Sequence, residues 1–279
     1  MVLFFPMGGL ANRMRAIDSA VNFCELHKCR LNIYWIKDSG LNCDFKEIWS
    51  SVTFIRDIKG LIPGLLFNMY RRFFIFRYLL KFGERLRIVK VIVDQYNGGK
   101  EEIYNFVNSE NNIPRYLLLI IKTCEDFCPS RKFRSDIFHL VPEISERVRK
   151  ETIGFNENTI GVHIRRKDNI HSIENSPLEL FEKQMSDELM KCEEVSFYIA
   201  SDDQKIKDYF INGSHLKGPI FLSGGKLDRN SKAGIIQSVV ELYALSHTKK
   251  IIGSYWSSYS AIASMIGSNE LLIIKNNSL

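Results

Sequence analysis

The sequence predicts an α/β protein of two Rossmann-like domains, each a parallel sheet with helices on both faces. Three observations lead there. From about residue 157 onward, short apolar runs alternate with helical patterns, which is the signature of βαβ units. The first 36 residues show the same pattern: strand, glycine turn, helix, strand. The length of 279 residues suits two domains of ordinary size, at roughly 100–200 residues each. The natural cut lies between the charged run 146–151 (ERVRKE) and the apolar run that follows, giving domains 1–154 and 155–279.

The first half opens with a strand at 2–5, a turn at Gly8-Gly9, a helix over about 11–27 and a strand at 31–36 (LNIYWI). Residues 61–135 show no clear periodicity, apart from a basic, aromatic stretch at 71–90. In the second half the first strand is 159–164 (TIGVHI). A polar loop from Asn169 to Ser176 leads to a helix with Pro177 in its first turn. Then come a strand at 196–200, a helix near 203–211, a strand at 219–222 and a helix over 233–246. A strand at 249–253, a helix from about 257 and a strand at 271–275 close the chain.

Composition bounds the function. With 45% hydrophobic and 25% charged residues the chain is neither disordered nor collagen-like. A net charge of +6 is compatible with a phosphorylated ligand and too small to imply nucleic acid. No G-x-G-x-x-G follows either opening strand, which argues against a nicotinamide or flavin enzyme. The six cysteines form no C-x-x-C pair and suit a reducing cytoplasm; Cys24, His27 and Cys29 lack a second ligand pair for a metal. The N-terminus does not read as a signal peptide. No apolar stretch, including 61–70, approaches the ~20 residues of a membrane helix. The expected location is cytoplasmic, peripheral to the inner membrane face if the cations and aromatic residues of 71–90 meet a lipid surface; a solvated amphipathic helix is the alternative.

Five segments can carry chemistry. In Gly161-Val-His-Ile-Arg-Arg-Lys-Asp-Asn169, strand alternation puts His163 and Arg165 on one face and Val162 and Ile164 on the other. Arg165 and Arg166 then stand beyond a strand's carboxyl end, where open α/β sheets bind ligands. A guanidinium fork there suits a phosphate, with Asp168 holding one of them. A surface ion-pair cluster is the other reading. Ser254 to Ser260 (SYWSSYS) places hydroxyls and free N–H groups at a helix start, either an anion site or plain caps. Glu241 offers a carboxylate for guanine N1 and N2, unless it faces solvent as most helical glutamates do. Gly8 to Arg15 either lets backbone approach a ligand closely, with Asn12 and Arg13 in the first helical turn, or is a plain strand–helix turn. Asp202 and Asp203 either orient the arginines or cap the next helix.

In order along the chain, GGLANR (8–13), HIRRKD (163–168), YIASDD (198–203), ELYALS (241–246) and GSYWSSYS (253–260) resemble the GDP-fucose-dependent fucosyltransferase superfamily. The resemblance covers the second half and the first ~50 residues, leaving 55–150 unmatched. It implies a GT-B-like fold, two Rossmann-like domains facing across a cleft, with the donor on the C-terminal one. It also implies inverting, metal-independent transfer, with no cofactor beyond the GDP-sugar co-substrate. On matching positions, Arg165 looks like the arginine on the donor β-phosphate and His163 like its neighbour. Glu241 stands where the family often has an aspartate reading guanine. Ser257 or Ser258 looks like the phosphate serine, and Gly9, Asn12 and Arg13 like N-domain residues closing on donor or acceptor. Arg166 and Asp202 complete the donor set. Glu174, in the loop after HIRRKD, resembles a catalytic glutamate; Asp168 is the other candidate base.

The resemblance thus implies a transferase moving fucose, or a close sugar, from GDP to a hydroxyl of a glycan or lipid-linked oligosaccharide, as in polysaccharide biosynthesis. A departing diphosphate needs positive charge, and arginine, serine and a helix N-terminus supply it where other enzymes use a D-x-D-bound ion. Two rivals are a sulfotransferase-like enzyme on another nucleotide donor and a non-catalytic nucleotide- or sugar-binding module. The first usually has a lysine-containing phosphate loop after strand one, and Met7 to Asn12 contains no lysine or hydroxyl.

Overall fold

The computed structural model describes residues 1–58, 74–94, 99–108, 116–167, 169–225, 228 and 230–276, with backbone alone at 74–77 and 99–100. The chain divides into two compact units, Met1–Val141 and Pro142–Leu279. The division precedes helix 142–151, which the sequence reading assigned to the N-terminal side. That helix belongs to the second unit because its polar side chains bond there: Arg147 donates to Gln237 Oε1 at 2.7 Å and Tyr198 donates to Glu151 Oε1 at 3.0 Å.

In the first unit the elements run β1 (Val2–Pro6), α1 (Leu10–Leu26), β2 (Leu31–Ile36), β3 (Ile55–Ile58), α2 (Phe74–Arg85), β4 (Val89–Val93), α3 (Gly99–Asn108) and β5 (Leu118–Thr123). All pairings are parallel, in the order β3-β2-β1-β5-β4. Of the three strands after residue 50, which the sequence pattern does not mark, β3 and β4 are edge strands of four and five residues, too short to show a clear alternation. Val2 and Phe4 on one face of β1 are buried; Phe5 on the other packs with Val91, Ile120 and Leu80 of α2. A separate aromatic cluster joins Trp35, Phe45, Trp49 and Phe138, with ring centroids 4.9–5.7 Å apart.

The second unit runs α4 (Pro142–Glu151), β6 (Thr159–Ile164), α5 (Ile170–Asn175), α6 (Leu178–Lys191), β7 (Ser196–Ser201), α7 (Gln204–Asn212), β8 (Ile220–Leu222), α8 (Lys232–Ser246), β9 (Lys250–Ser254), α9 (Ser258–Gly267) and β10 (Glu270–Ile274). Its parallel sheet has the order β10-β9-β6-β7-β8. One face packs Ile160, Val162 and Ile164 against Phe181 and Met185 of α6 and Phe210 of α7. The opposite face receives α8, which is apolar almost all round and buried for that reason. The loop expected at 169–176 is mostly α5, because Asn169 caps it by accepting from the Ser172 N–H. Pro177 is the cap residue before α6 rather than a first-turn residue.

Glycine sets how closely α9 approaches β9. A Cβ on Gly253 would lie 2.5 Å from Ser260 Oγ and 2.7 Å from its Cβ, and Ser260 is fully buried. Gly253→Ala is therefore expected to cost about 1–3 kcal/mol through overpacking, read as a lower urea midpoint with an unchanged slope. An unshifted midpoint would mean α9 does not hold this position.

Candidate active site at the switch point of the second sheet

The chain leaves β6 toward β7 and β8 and later returns to the other side of β6 as β9. The connections therefore diverge at the carboxyl ends of β6 and β9, the place where open α/β sheets make ligand crevices. Ser254 joins the two strand ends: its hydroxyl accepts from the Arg165 N–H at 3.0 Å and donates to the His163 carbonyl at 3.3 Å. Asp202, at the end of β7, fastens the same turn. It accepts from the N–H groups of Arg166 (2.7 Å) and Lys167 (3.3 Å), and its Oδ2 lies 3.4 Å from Arg165 Nε. The Arg165 and Asp202 side chains are only 18% and 16% exposed, so this pair is far less screened than a surface ion pair. Asp203 caps α7, accepting from the Lys205 N–H.

The alternation read from sequence holds. His163 faces α9, stacked on Tyr259 with ring centroids 4.8 Å apart, while Val162 and Ile164 face the α6 side. Burial, with the adjacent Arg165 charge, holds the His163 pKa down to about 3. The ring is therefore neutral at physiological pH, and its Nδ1 has no hydrogen-bond partner among the described residues.

The two arginines part company. The Arg166 guanidinium donates to the carbonyls of Arg165 (3.0 Å) and Ser176 (2.6 Å) and lies over the Phe181 ring. The expected two-arginine fork is replaced by one guanidinium on the sheet face of His163 and one that ties the turn to α6. Asp168 lies outside the described residues.

The β9 side supplies a helix N-terminus. Trp256 takes a left-handed φ of 57° and Ser257 leads into α9 without capping it through its side chain. Helix α5 is stitched to this loop: Asn169 Nδ2 donates to the Trp256 carbonyl (3.0 Å) and Ser172 Oγ to the Tyr255 carbonyl (2.6 Å). Ser176 Oγ accepts from the Tyr255 N–H at 2.8 Å. Glu174 rides on this pinned helix with its side chain exposed. Sequence reasoning missed Ser172 and Ser176, single serines in a polar stretch that no pattern marks, and read Ser254 as part of an anion site or cap where it joins two strand ends.

Glu241 is not solvent-facing. It is 1% exposed and bonded to Lys207 Nζ at 3.0 Å, and Lys207 also donates to the Ser223 carbonyl. Burial, opposed by Lys207 and a Ser223 hydrogen bond, pushes its pKa up to about 7. The carboxylate expected to read a base is thus committed to a buried cation. Lys207 lines a cavity of about 590 Å³ together with Lys167, Asp202, Ser223, Gly224 and Gly225, at the carboxyl ends of β7 and β8.

In the first unit the equivalent switch point lies between β1 and β5. Gly8 has a φ of 81°, which favours glycine, and Gly9 is the residue before α1. Asn12 is half-buried beside Gly8. Arg13 is corrected by the structure. It is fully buried, its guanidinium donating to the carbonyls of Gly8 and Ile36 and to Asp38 Oδ2 (2.6 Å) over the Trp35 ring. Those partners make it part of the frame behind the glycine turn. All six cysteines are free. Among the described residues one trio, Asp94, Cys124 and Glu125, has metal-compatible spacing. Asp94 there accepts from Thr123 and Cys124, and burial raises the Cys124 thiol.

No protein-family model matches the sequence and no curated protein matches it. Solved structures do. A variant of Arabidopsis thaliana FUT1 in complex with GDP aligns with a TM-score of 0.65 at 14% identity, over 99% of this chain and 70% of its own. NodZ α-1,6-fucosyltransferase soaked with GDP-fucose aligns at 0.64 and 13%, over 99% and 95%. POFUT1 in complex with GDP-fucose aligns at 0.55 and 11%, over 98% and 97%. The chain has the fold of these GDP-fucose fucosyltransferases, two parallel five-stranded sheets flanked by helices.

The two buried titratable groups have opposite effects on stability. Glu241, raised from 4.5 to about 7, contributes stability that is complete below 4.5 and lost as pH rises through about 7. His163, depressed from 6.5 to about 3, contributes stability that is complete above 6.5 and lost as pH falls through about 3. Between 4.5 and 6.5 the two slopes oppose each other. In Glu241→Gln, urea-unfolding free energy is expected to climb with pH across that window, where the parent protein is flatter. Equal slopes would remove Glu241 as a buried titrating group.

Proposed function

We propose that this protein is an inverting glycosyltransferase that moves fucose, or a close 6-deoxyhexose, from GDP to a glycan hydroxyl. The observation that carries the reading is Arg165, held by Asp202 at the sheet's switch point on the edge where α9 begins. The GDP- and GDP-fucose-bound proteins of the same fold support the choice of donor.

In this reading a glycan oxygen attacks the anomeric carbon from behind. The bond from that carbon to the β-phosphate oxygen breaks, and its electron pair leaves with GDP. Negative charge grows on the diphosphate, where Arg165, the first N–H groups of α9 and the hydroxyls of Ser257 and Ser258 meet it. Such donors stabilise best when fixed beforehand. Asp202 and Ser254 fix Arg165 and its turn. The attacking hydroxyl's proton goes to the Glu174 carboxylate, on the helix that Ser172 and Asn169 pin to the β9 loop. The nucleoside takes the cavity beside Asp202 and Lys167. His163 packs behind Arg165 as a neutral ring, and the buried Glu241 holds Lys207 at the cavity wall. Gly9 and Asn12 are the first unit's candidates for ligand contact.

Metal-independence also belongs to this proposal. The adjacent carboxylates of Asp202 and Asp203 are taken by backbone N–H groups, Arg165 and the α7 cap, so neither is disposed to ligate an ion.

Thermal-shift titration against GDP, UDP, ADP and CMP tests this. A shift specific to GDP, indifferent to EDTA and absent in Arg165→Ala is expected, as is GDP release from GDP-fucose that Arg165→Ala slows by about 10²–10³-fold. Preference for UDP, or a strict metal requirement, would overturn it. Glu174→Gln is expected to lower kcat while leaving the GDP shift intact; unchanged kcat would return the proton to another acceptor.

A further inference from the structure

Helix α2 has two apolar faces, and among the described residues only one packs against the core. On the inner side Leu80 packs against the core built on Phe5, Val91 and Ile120. Gly83 lies so close to β4 that a Cβ there would sit 2.7 Å from Val89 Cγ1. On the outer side Tyr78, Phe82 and Leu86 follow one another at four-residue spacing, with Leu79 beside them, so they form one row on the helix surface. Their exposures are 65, 55, 55 and 60%, and Ile88 after the turn adds a fifth at 46%. Arg87 takes a left-handed φ of 58° there, between the exposed Leu86 and Ile88.

The charges around this row have one sign. Lys81, Arg85 and Arg87 are exposed and have no ion-pair partner among the described residues. The one acid of the segment, Glu84, is drawn toward β4, where Lys90 Nζ lies 3.5 Å away. No helix among the described residues is long and apolar enough to cross a membrane, and the apolar stretch 61–70 and the first residues of the basic run, 71–73, lie outside them. A short helix with large apolar groups on one side and unneutralised Lys and Arg beside them suits a bilayer surface rather than its interior.

We propose that the outer face of α2 docks on an anionic lipid surface. Tyr78, Leu79, Phe82, Leu86 and Ile88 would enter the headgroup–acyl boundary, and Lys81, Arg85 and Arg87 would face anionic headgroups. A plane of negative charge neutralises three dispersed cations at once without requiring a shaped partner. The inference uses the first unit alone and stands apart from the donor reading.

Co-sedimentation of the full chain with phosphatidylcholine vesicles, with and without phosphatidylglycerol, tests it. Binding is expected only with phosphatidylglycerol, weakening as salt rises. Lys81→Gln/Arg85→Gln/Arg87→Gln should weaken it on the order of a hundredfold. Leu79→Glu/Phe82→Glu should abolish it, while both variants keep the parent melting temperature and GDP-induced shift. A lower melting temperature in the second variant would leave the glutamine variant to decide. The proposal is overturned by absent binding, by equal binding to neutral vesicles, or by a dimer in solution that Phe82→Glu dissolves.

Discussion

A carboxylate at the end of one strand governs the turn at the end of its neighbour. Asp202 accepts two backbone N–H groups and faces the guanidinium of Arg165, so one side chain sets both the path of residues 165–167 and the aim of the arginine. Ser254 does the matching work from β9, hydrogen-bonded on both sides of Ile164 in β6. A cation held this way reorganises little when an anion arrives, and this is the condition under which fixed charge stabilises a leaving group. The register of β6 with β7 and β9 makes the arrangement possible: it brings the three strand ends level.

Within each unit, buried charge is used as framework. Arg13 ties the Gly8 turn to the end of β2 and to Asp38, and Glu241 holds Lys207 where it lines the cavity. Each such group is costly to bury and would be more costly to leave half-paired. The consequence is local rigidity behind loops that must keep their shape. Hydroxyl groups extend the same logic, with Ser172 and Ser176 fixing the loop that leads into α9.

The first unit distributes its apolar surface differently. Its sheet core is satisfied by one side of α2, yet the helix presents a second row of aromatic and aliphatic residues to the exterior, rimmed by cations. Apolar side chains scattered singly on a surface need no explanation; five exposed ones between Tyr78 and Ile88 do.

Much of the second unit could be read from residues alone. A strand buried on both faces is a near-continuous apolar run, so β6 stands out at its true boundaries, and its two-residue period separates His163 and Arg165 from Val162 and Ile164. The ordered segments that resemble fucosyltransferases pointed to the fold that the solved structures share. Sequence could not say where each polar side chain turns. Arg165 and Arg166 are chemically identical neighbours, and their opposite roles depend on Asp202 and Ser176, 37 and 10 residues away along the chain. Arg13 reads as a ligand-facing helix residue until Ile36 and Asp38 close on it, and Glu241 reads as a base-recognising carboxylate until Lys207 reaches it. Period and propensity are local properties of the chain. The partner that claims a charge is chosen by the tertiary fold, because desolvation makes every buried donor and acceptor take whichever group the packing brings within reach.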